Sequence, residues 1–265
     1  MKPGILPTSE PPTIPSKLVE DFTPLLLSDR AHSLCAGCGE PVAMRAAAEL
    51  MTEMELATRS IGVIGIGCYT AFASSLDVDT VQALHGRAPS LATGIKRMLP
   101  DAFVFSVQGD GDMVNEGLQE IIHTAARGEA VTAILLNNGV FGETGGHMTA
   151  TTVLGQRTKN TLEGRDPAKH GFPVPIANLI AELEGAAYVG RTAVNNAGNV
   201  ARTRRMFGRA FELQLAGAGF TFVEVLTMCP TGWFIDTGEA PDYLEDTMID
   251  TFALGVLKDT GQPPA

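Results

Sequence analysis

The turn Gly109-Asp110-Gly111-Asp112 follows an apolar run, Ala102 to Val107, and precedes apolar residues at helical spacing, Val114, Leu118, Ile121, Ile122 and Ala125. A turn between the C-terminal end of a strand and the start of a helix is where an open α/β sheet binds ligands. Glycines let the backbone approach a diphosphate, and the helix N-terminus offers free N–H groups and a positive dipole end. Two aspartates would repel that anion unless one carries a divalent cation, since Mg²⁺ takes carboxylate, amide and carbonyl oxygens together with phosphate. A second oxygen source stands where it is needed. Asn137-Asn138 closes the next apolar run, Val131 to Leu136, and 25 residues separate Gly111 from Asn137. Gly139 and Gly142 free the backbone beyond, so the Val140 carbonyl can complete the protein's share of an octahedral shell.

Four cysteines occupy positions 35, 38, 68 and 229. In 265 residues that is too few for a disulfide framework, and the sequence opens with neither a charged n-region nor an apolar h-region, so a reducing, cytoplasmic location is expected. Two buried small side chains would account for the pair Cys35-x2-Cys38. Taken together, four thiolates suit either a zinc ion or a [4Fe–4S] cluster, and sulfur does not tell those metals apart. Cys68 ends the β-branched, glycine-bounded run Ser60 to Ile66, and Cys229 follows Thr221 to Leu226. Both are thus expected at strand C-termini, on the edge that carries the diphosphate site.

Helices are predicted from Pro41 to about Met54, with a buried stripe Val42, Ala46, Leu50 and Met54, and at Ser90 to Met98, Ile176 to Glu184 and Asn196 to Ala216. Further strands are predicted near Val81 to Leu84 and at Ala187 to Arg191. Strands alternating with helices predict an α/β fold, a parallel sheet covered by helices on both faces. The Gly- and Thr-rich connection from Gly139 to about Gly171 is too long for mere linkage and is expected to pack over a site. Residues 1–24 hold six of the sixteen prolines and read as an extended arm; residues 25–265 read as the domain itself. A net charge of -11 without a basic block argues against nucleic acid, and no apolar run approaches the roughly 20 residues of a membrane span.

The Gly-Asp-Gly to Asn-Asn pattern resembles the thiamine-diphosphate motif, which implies Mg²⁺ on Asp110, Asn138 and the Val140 carbonyl, with Gly109, Gly111 and Asp112 beside the diphosphate. A structural zinc has no reason to sit beside thiamine; an electron acceptor does. Cys35-Ala-Gly-Cys38-Gly-Glu40-Pro41, Gly65-Ile66-Gly67-Cys68, His85-Gly86-Arg87, the Gly109 to Asp112 turn, Asn137 through Gly146, and Cys229-Pro230 together are similar to the β subunit of 2-oxoacid:ferredoxin oxidoreductases. The similarity runs from about residue 30 to 258.

That resemblance implies a thiamine-diphosphate-binding fold and a [4Fe–4S] cluster on Cys35, Cys38, Cys68 and Cys229. It implies thiamine contacts from Ile66, Gly67, Cys68, Tyr69, His85, Gly142, Glu143 and Thr144. Relatives often carry an apolar or amide residue where Glu143 stands, which puts its role in doubt. Glu40 reads equally as an acid of the cofactor pocket or as a solvated residue of a helix N-terminus. His85 reads as a cofactor or substrate contact, and His147 as lining the entrance or capping a loop. The resemblance further implies decarboxylation of a 2-oxoacid, acyl transfer to coenzyme A, and electrons passed through the cluster to ferredoxin. It implies an α subunit with the pyrimidine-binding domain, a γ subunit and a ferredoxin-like δ subunit. The segment Met148 to Pro167 looks like the branched-chain and 2-oxoglutarate members, with 2-oxoisovalerate favoured. The alternative is a non-redox thiamine decarboxylase or synthase subunit with a structural zinc.

Overall fold

The computed structural model describes residues 32–261, and the proline-rich arm expected at 1–24 lies outside them. Four strands are buried along essentially their whole length, a pattern that requires cover on both faces. The main sheet has the order β2-β1-β3-β4-β8-β7-β9. Its strands are β1 (Ser60–Ile64), β2 (Asp79–Gln82), β3 (Phe103–Gly109), β4 (Thr132–Asn137), β7 (Ala186–Ala193), β8 (Phe220–Leu226) and β9 (Gly255–Asp259); a separate two-stranded hairpin joins β5 (Val140–Phe141) to β6 (His147–Met148). The first six strands of that order pair in parallel, whereas β9 runs antiparallel along β7.

Parallel neighbours need crossovers, and helices supply them. One face carries α1 (Glu40–Glu53) and, after three helices of the other face, α5 (Ala197–Leu215); the other carries α2 (Ala88–Met98), α3 (Leu118–Ala126) and α4 (Ile176–Ala181). Strand alternation sorts the core: Phe103, Phe105, Ile134 and Val223 point toward α1 and α5, and Ala133, Leu135 and Phe222 toward α3 and α4.

The structure departs from the sequence reading at several places. Of the expected α1 stripe only Ala46 is buried, together with Ala43, Met44, Ala47, Ala48 and Met51, while Val42, Leu50 and Met54 lie at its margin. Small alanines bring α1 close to α5, and Leu50 lies over the bare backbone of Gly208. The helix expected straight after Asp112 is instead one wide π-type turn, Gly111–Glu116, before α3 begins beyond Gly117. At that break the Gly86 and Gly117 backbones pack together, and a Cβ on Gly117 would sit 2.6 Å from the Gly86 Cα. β9 makes the sheet mixed at one edge. Its short run alternates half-buried and exposed residues, which left no apolar signal.

Phe211 is fully buried, edge-on to Phe103 at 4.9 Å between ring centroids and stacked on Phe207 at 5.8 Å. Phe211→Ala is expected to lower unfolding free energy by about 3–5 kcal/mol in urea titrations with the m-value unchanged. A loss under about 1 kcal/mol would show that α5 does not anchor the sheet.

Candidate functional site

Strands β2, β1, β3, β4 and β8 are neighbours in the sheet, and the segments leaving their C-terminal ends carry His85, Cys68, Asp110, Asn138 and Cys229 respectively. Every residue expected at the thiamine and Mg²⁺ site lines one cavity of about 250 Å³: Glu40, Ile66, Gly67, Cys68, Tyr69, His85, Gly109, Asp110, Gly111, Asp112, Asn138, Val140, Gly142, Glu143 and Thr144. Phe141 and Glu116 complete the lining. Cys35, Cys38, Cys68 and Cys229 line a second cavity of about 410 Å³. His147 lies in neither, and its Nδ1 meets Thr144 Oγ1 at 3.1 Å as a loop contact.

Asp112 organises the wall. Its Oδ1 accepts from the Gly86 N–H at 2.6 Å and faces His85 Nδ1 at 3.0 Å. Its Oδ2 accepts from Tyr69 Oη at 2.7 Å and Gln108 Nε2 at 3.0 Å. Both oxygens are therefore committed to protein donors, and Asp112 orients its neighbours rather than offering a free acceptor to a ligand. Burial and the Asp112 charge hold the Tyr69 phenol well above its ordinary range, so it remains the donor. With Nδ1 turned to Asp112, the half-exposed His85 ring keeps Nε2 for the cavity.

Asp110 is 1% exposed, and burial pushes its carboxyl up to about 6. Its Oδ2 accepts from Thr151 Oγ1 at 2.6 Å, and its Oδ1 lies 3.4 Å from the Asn138 N–H. Trp233 Nε1 donates to the Asn138 carbonyl at 2.7 Å, and the Asn138 side-chain oxygen accepts from the Val140 N–H at 3.1 Å. A buried carboxylate, an amide and a backbone carbonyl form a hard oxygen donor set that fits Mg²⁺. Gly111 has no room for a side chain, because a Cβ there would overlap the Phe141 ring.

Glu40 opens α1 yet is only 2% exposed, so it is no solvated helix-end acid. Its Oε1 is 3.4 Å from Asn138 Nδ2, and its Oε2 is buried with no partner. Burial first, then the charges of Asp110 and Glu143, push this carboxyl up to about 8. The same burial pushes the Cys68 and Cys229 thiols up to about 12 and Cys38 higher still. All four cysteines are free. Buried thiols of this kind ionise when a cation takes the place of the proton. Among the described residues no three His, Cys, Asp or Glu side chains gather tightly enough to hold a single metal ion. The four thiols line one cavity, a soft donor set that suits an iron–sulfur cluster or zinc.

Sequence reasoning missed Thr151, Gln108, Phe141 and Trp233. The long connection does pack over the site, delivering Thr151 to Asp110. Buried Arg165 fastens it, donating to the carbonyls of Thr149, Ala150, Thr152, His170, Gly171 and Phe172.

The Glu40 carboxyl sets a pH dependence. An unfolded Glu40 loses its proton near 4.5, while the folded chain keeps it to about 8, so its contribution to stability is full below about 4.5, declines through that window and is gone above about 8. The cofactor-free chain should therefore lose stability as pH rises between those values, and Glu40→Gln should flatten part of that fall in chemical denaturation. Superimposable pH profiles would contradict the buried-carboxyl assignment.

Comparison with known proteins bears on what these cavities hold. The family model described as thiamine pyrophosphate enzyme, C-terminal TPP binding domain, matches residues 65–225. Ketoisovalerate oxidoreductase subunit VorA of Methanothermobacter thermautotrophicus is 37% identical over 229 residues, covering 86% of this chain and 48% of that protein. This chain thus spans about half the length of that relative. The 2-oxoacid:ferredoxin oxidoreductase subunit beta of Sulfolobus is 31% identical over 222 residues, covering 82% of this chain and 69% of that one. In fold, the chain is similar to the 2-oxoglutarate:ferredoxin oxidoreductase of Magnetococcus marinus, with a TM-score of 0.73 at 23% identity, covering 92% of this chain and 87% of that one. With the thiamine pyrophosphate domain matched over more than half its residues and a β subunit matched over more than two thirds of that relative's length, this chain belongs to the thiamine-binding β subunits of the 2-oxoacid:ferredoxin oxidoreductase family.

Proposed function

We propose that the chain is the catalytic β subunit of a coenzyme A-dependent 2-oxoacid:ferredoxin oxidoreductase acting on 2-oxoisovalerate or a similar branched 2-oxoacid. Thiamine diphosphate and Mg²⁺ occupy the first cavity and a [4Fe–4S] cluster the second. The observation that carries this reading is the wall the two cavities share: Glu40, Gly67, Cys68, Asn138, Gly142 and Glu143 line both. A single layer of residues then separates a diphosphate cofactor from an electron acceptor, and Cys68 belongs to both sites.

When bound, the thiazolium supplies a nucleophilic carbon for the keto group and an electron sink for loss of CO₂. The chain's own residues bind and orient. Asp110, Asn138 and the Val140 carbonyl hold the metal, and Gly109 and Gly111 admit the diphosphate to the backbone. His85, set by Asp112, turns Nε2 toward the cavity as an acceptor in the neutral ring. Glu40, with its Oε2 buried and unpartnered, stands between the two sites. The name of the ketoisovalerate relative supports the proposed substrate. The pyrimidine side of the cofactor falls to an α subunit, and onward electron transfer to γ and ferredoxin-like δ subunits and then ferredoxin. No helix of the described residues is long and apolar enough to cross a membrane.

Metal and sulfide analysis with electron paramagnetic resonance of the anaerobically purified, dithionite-treated protein tests the reading. About four irons per chain with a reduced-cluster signal are expected. One zinc and no iron would leave a non-redox thiamine enzyme. Cys229→Ser should lose the cluster while the fold survives, and unchanged iron content would refute the ligand set. Asp110→Ala should abolish thiamine-diphosphate binding by the assembled complex, and normal retention would remove Asp110 from the metal site. The complex should turn over 2-oxoisovalerate with kcat/KM at least about tenfold above that for 2-oxoglutarate, and the reverse order would overturn the substrate assignment.

A further inference from the structure

Behind the metal cage lies a buried ion pair. Arg191 of β7 and Glu224 of β8 are register partners, with side chains 3% and 0% exposed, and Arg191 Nε donates to Glu224 Oε2 at 2.7 Å. The guanidinium is held on its other sides as well. It donates to Asn178 Oδ1 at 2.9 Å and to the Ala253 carbonyl at 3.4 Å, and it lies 5.3 Å from the Phe252 ring centroid. Glu224 Oε1 is left to accept from Asn137 Nδ2 at 2.7 Å. For stability alone, an apolar pair of similar volume serves as well as a buried ion pair. What it cannot do is orient an amide.

An ionised carboxylate only accepts, so it fixes which end of the Asn137 amide faces it. The Asn137 oxygen must then face the cofactor side. There it accepts from the Gly139 N–H at 3.1 Å and flanks Thr151 Oγ1 at 3.1 Å. Gly139, at φ +69°, begins the turn that delivers Val140, and Thr151 donates to Asp110. The turn that delivers Val140 therefore hangs from one amide.

We propose that Glu224, held by Arg191, is a positioning residue for the Mg²⁺ site: it fixes the Asn137 amide, whose oxygen accepts from the Gly139 N–H and so seats the Gly139–Val140 turn. This rests on the Mg²⁺–thiamine diphosphate reading of the first cavity. In Glu224→Gln the amide oxygen is claimed by Arg191, leaving an NH₂ group against Asn137 Nδ2. Asn137 turns over, and the Gly139 N–H loses its acceptor.

The test is the Mg²⁺ concentration giving half-maximal thiamine-diphosphate binding to the assembled complex by calorimetry, with iron content and Tm measured alongside. Loss of an outer-shell partner costs about 10–100-fold in metal affinity, and Glu224→Gln should raise the half-saturating Mg²⁺ by that factor with iron content unchanged. The swap Asn137→Asp with Glu224→Gln keeps the net charge and restores one donor facing one acceptor. It should return the Mg²⁺ requirement to within about threefold of the parent. Glu224→Gln with the parent's Mg²⁺ dependence overturns the proposal. If that variant does not assemble, the swap decides: a normal requirement supports the link and a raised one overturns it. Thiamine binding retained in Asp110→Ala would instead sink the metal-site reading on which this link rests.

Discussion

One buried carboxylate sets the geometry on which the first cavity depends. Asp112 takes four donors from segments that leave β1, β2 and β3, and so ties three strand ends to the start of the turn that follows β3. The interaction dictates composition around it. A Cβ on Gly65 would overlap Asp112 Oδ2, and one on Gly86, at φ +73°, would overlap the Glu116 backbone. The carboxylate and its glycines form one device, in which backbone and side-chain donors replace the water a buried anion would otherwise need. The wide π-type turn Gly111–Glu116 follows, with Asp112 in its first turn buried against these donors.

How much of this was legible follows from where each signal lives. Gly109 to Asp112, Asn137-Asn138 and Cys35-x2-Cys38 are local patterns at strand or helix ends, and the strands that align them are dense apolar runs, so both site and sheet could be read along the chain. Thr151 was not, because its role depends on where a loop of small polar residues lands after leaving the sheet. Trp233 was not, because only tertiary packing brings its indole to the Asn138 carbonyl. The inner face of α1 was misplaced for a related reason: larger side chains suggested one stripe, but close packing against α5 selects the alanines. Asp112 shows the limit of reading residue type alone. An acid beside a diphosphate motif suggests a ligand contact, whereas its oxygens are spent on protein.

The electrostatics of the two cavities are joined. Glu40, Asp110 and the thiols of Cys38, Cys68 and Cys229 are all buried or half-buried acids, and burial is the first cause holding each above its ordinary range. Near neutral pH the thiols and Glu40 keep their protons while Asp110 is largely ionised, so metal binding to the thiols would release acid. Glu40 feels both sites, because Asp110 and Glu143 are the charges that raise it after burial. A divalent ion on Asp110 would remove one of those causes and lower the Glu40 carboxyl, strengthening its affinity for the proton-donating end of Asn138. A [4Fe–4S] core on four thiolates would carry net negative charge and would hold the Glu40 proton more tightly. Under that proposal the acid between the cavities would be tuned by both occupants in opposite directions, which would give the shared wall an electrical part in addition to its steric one.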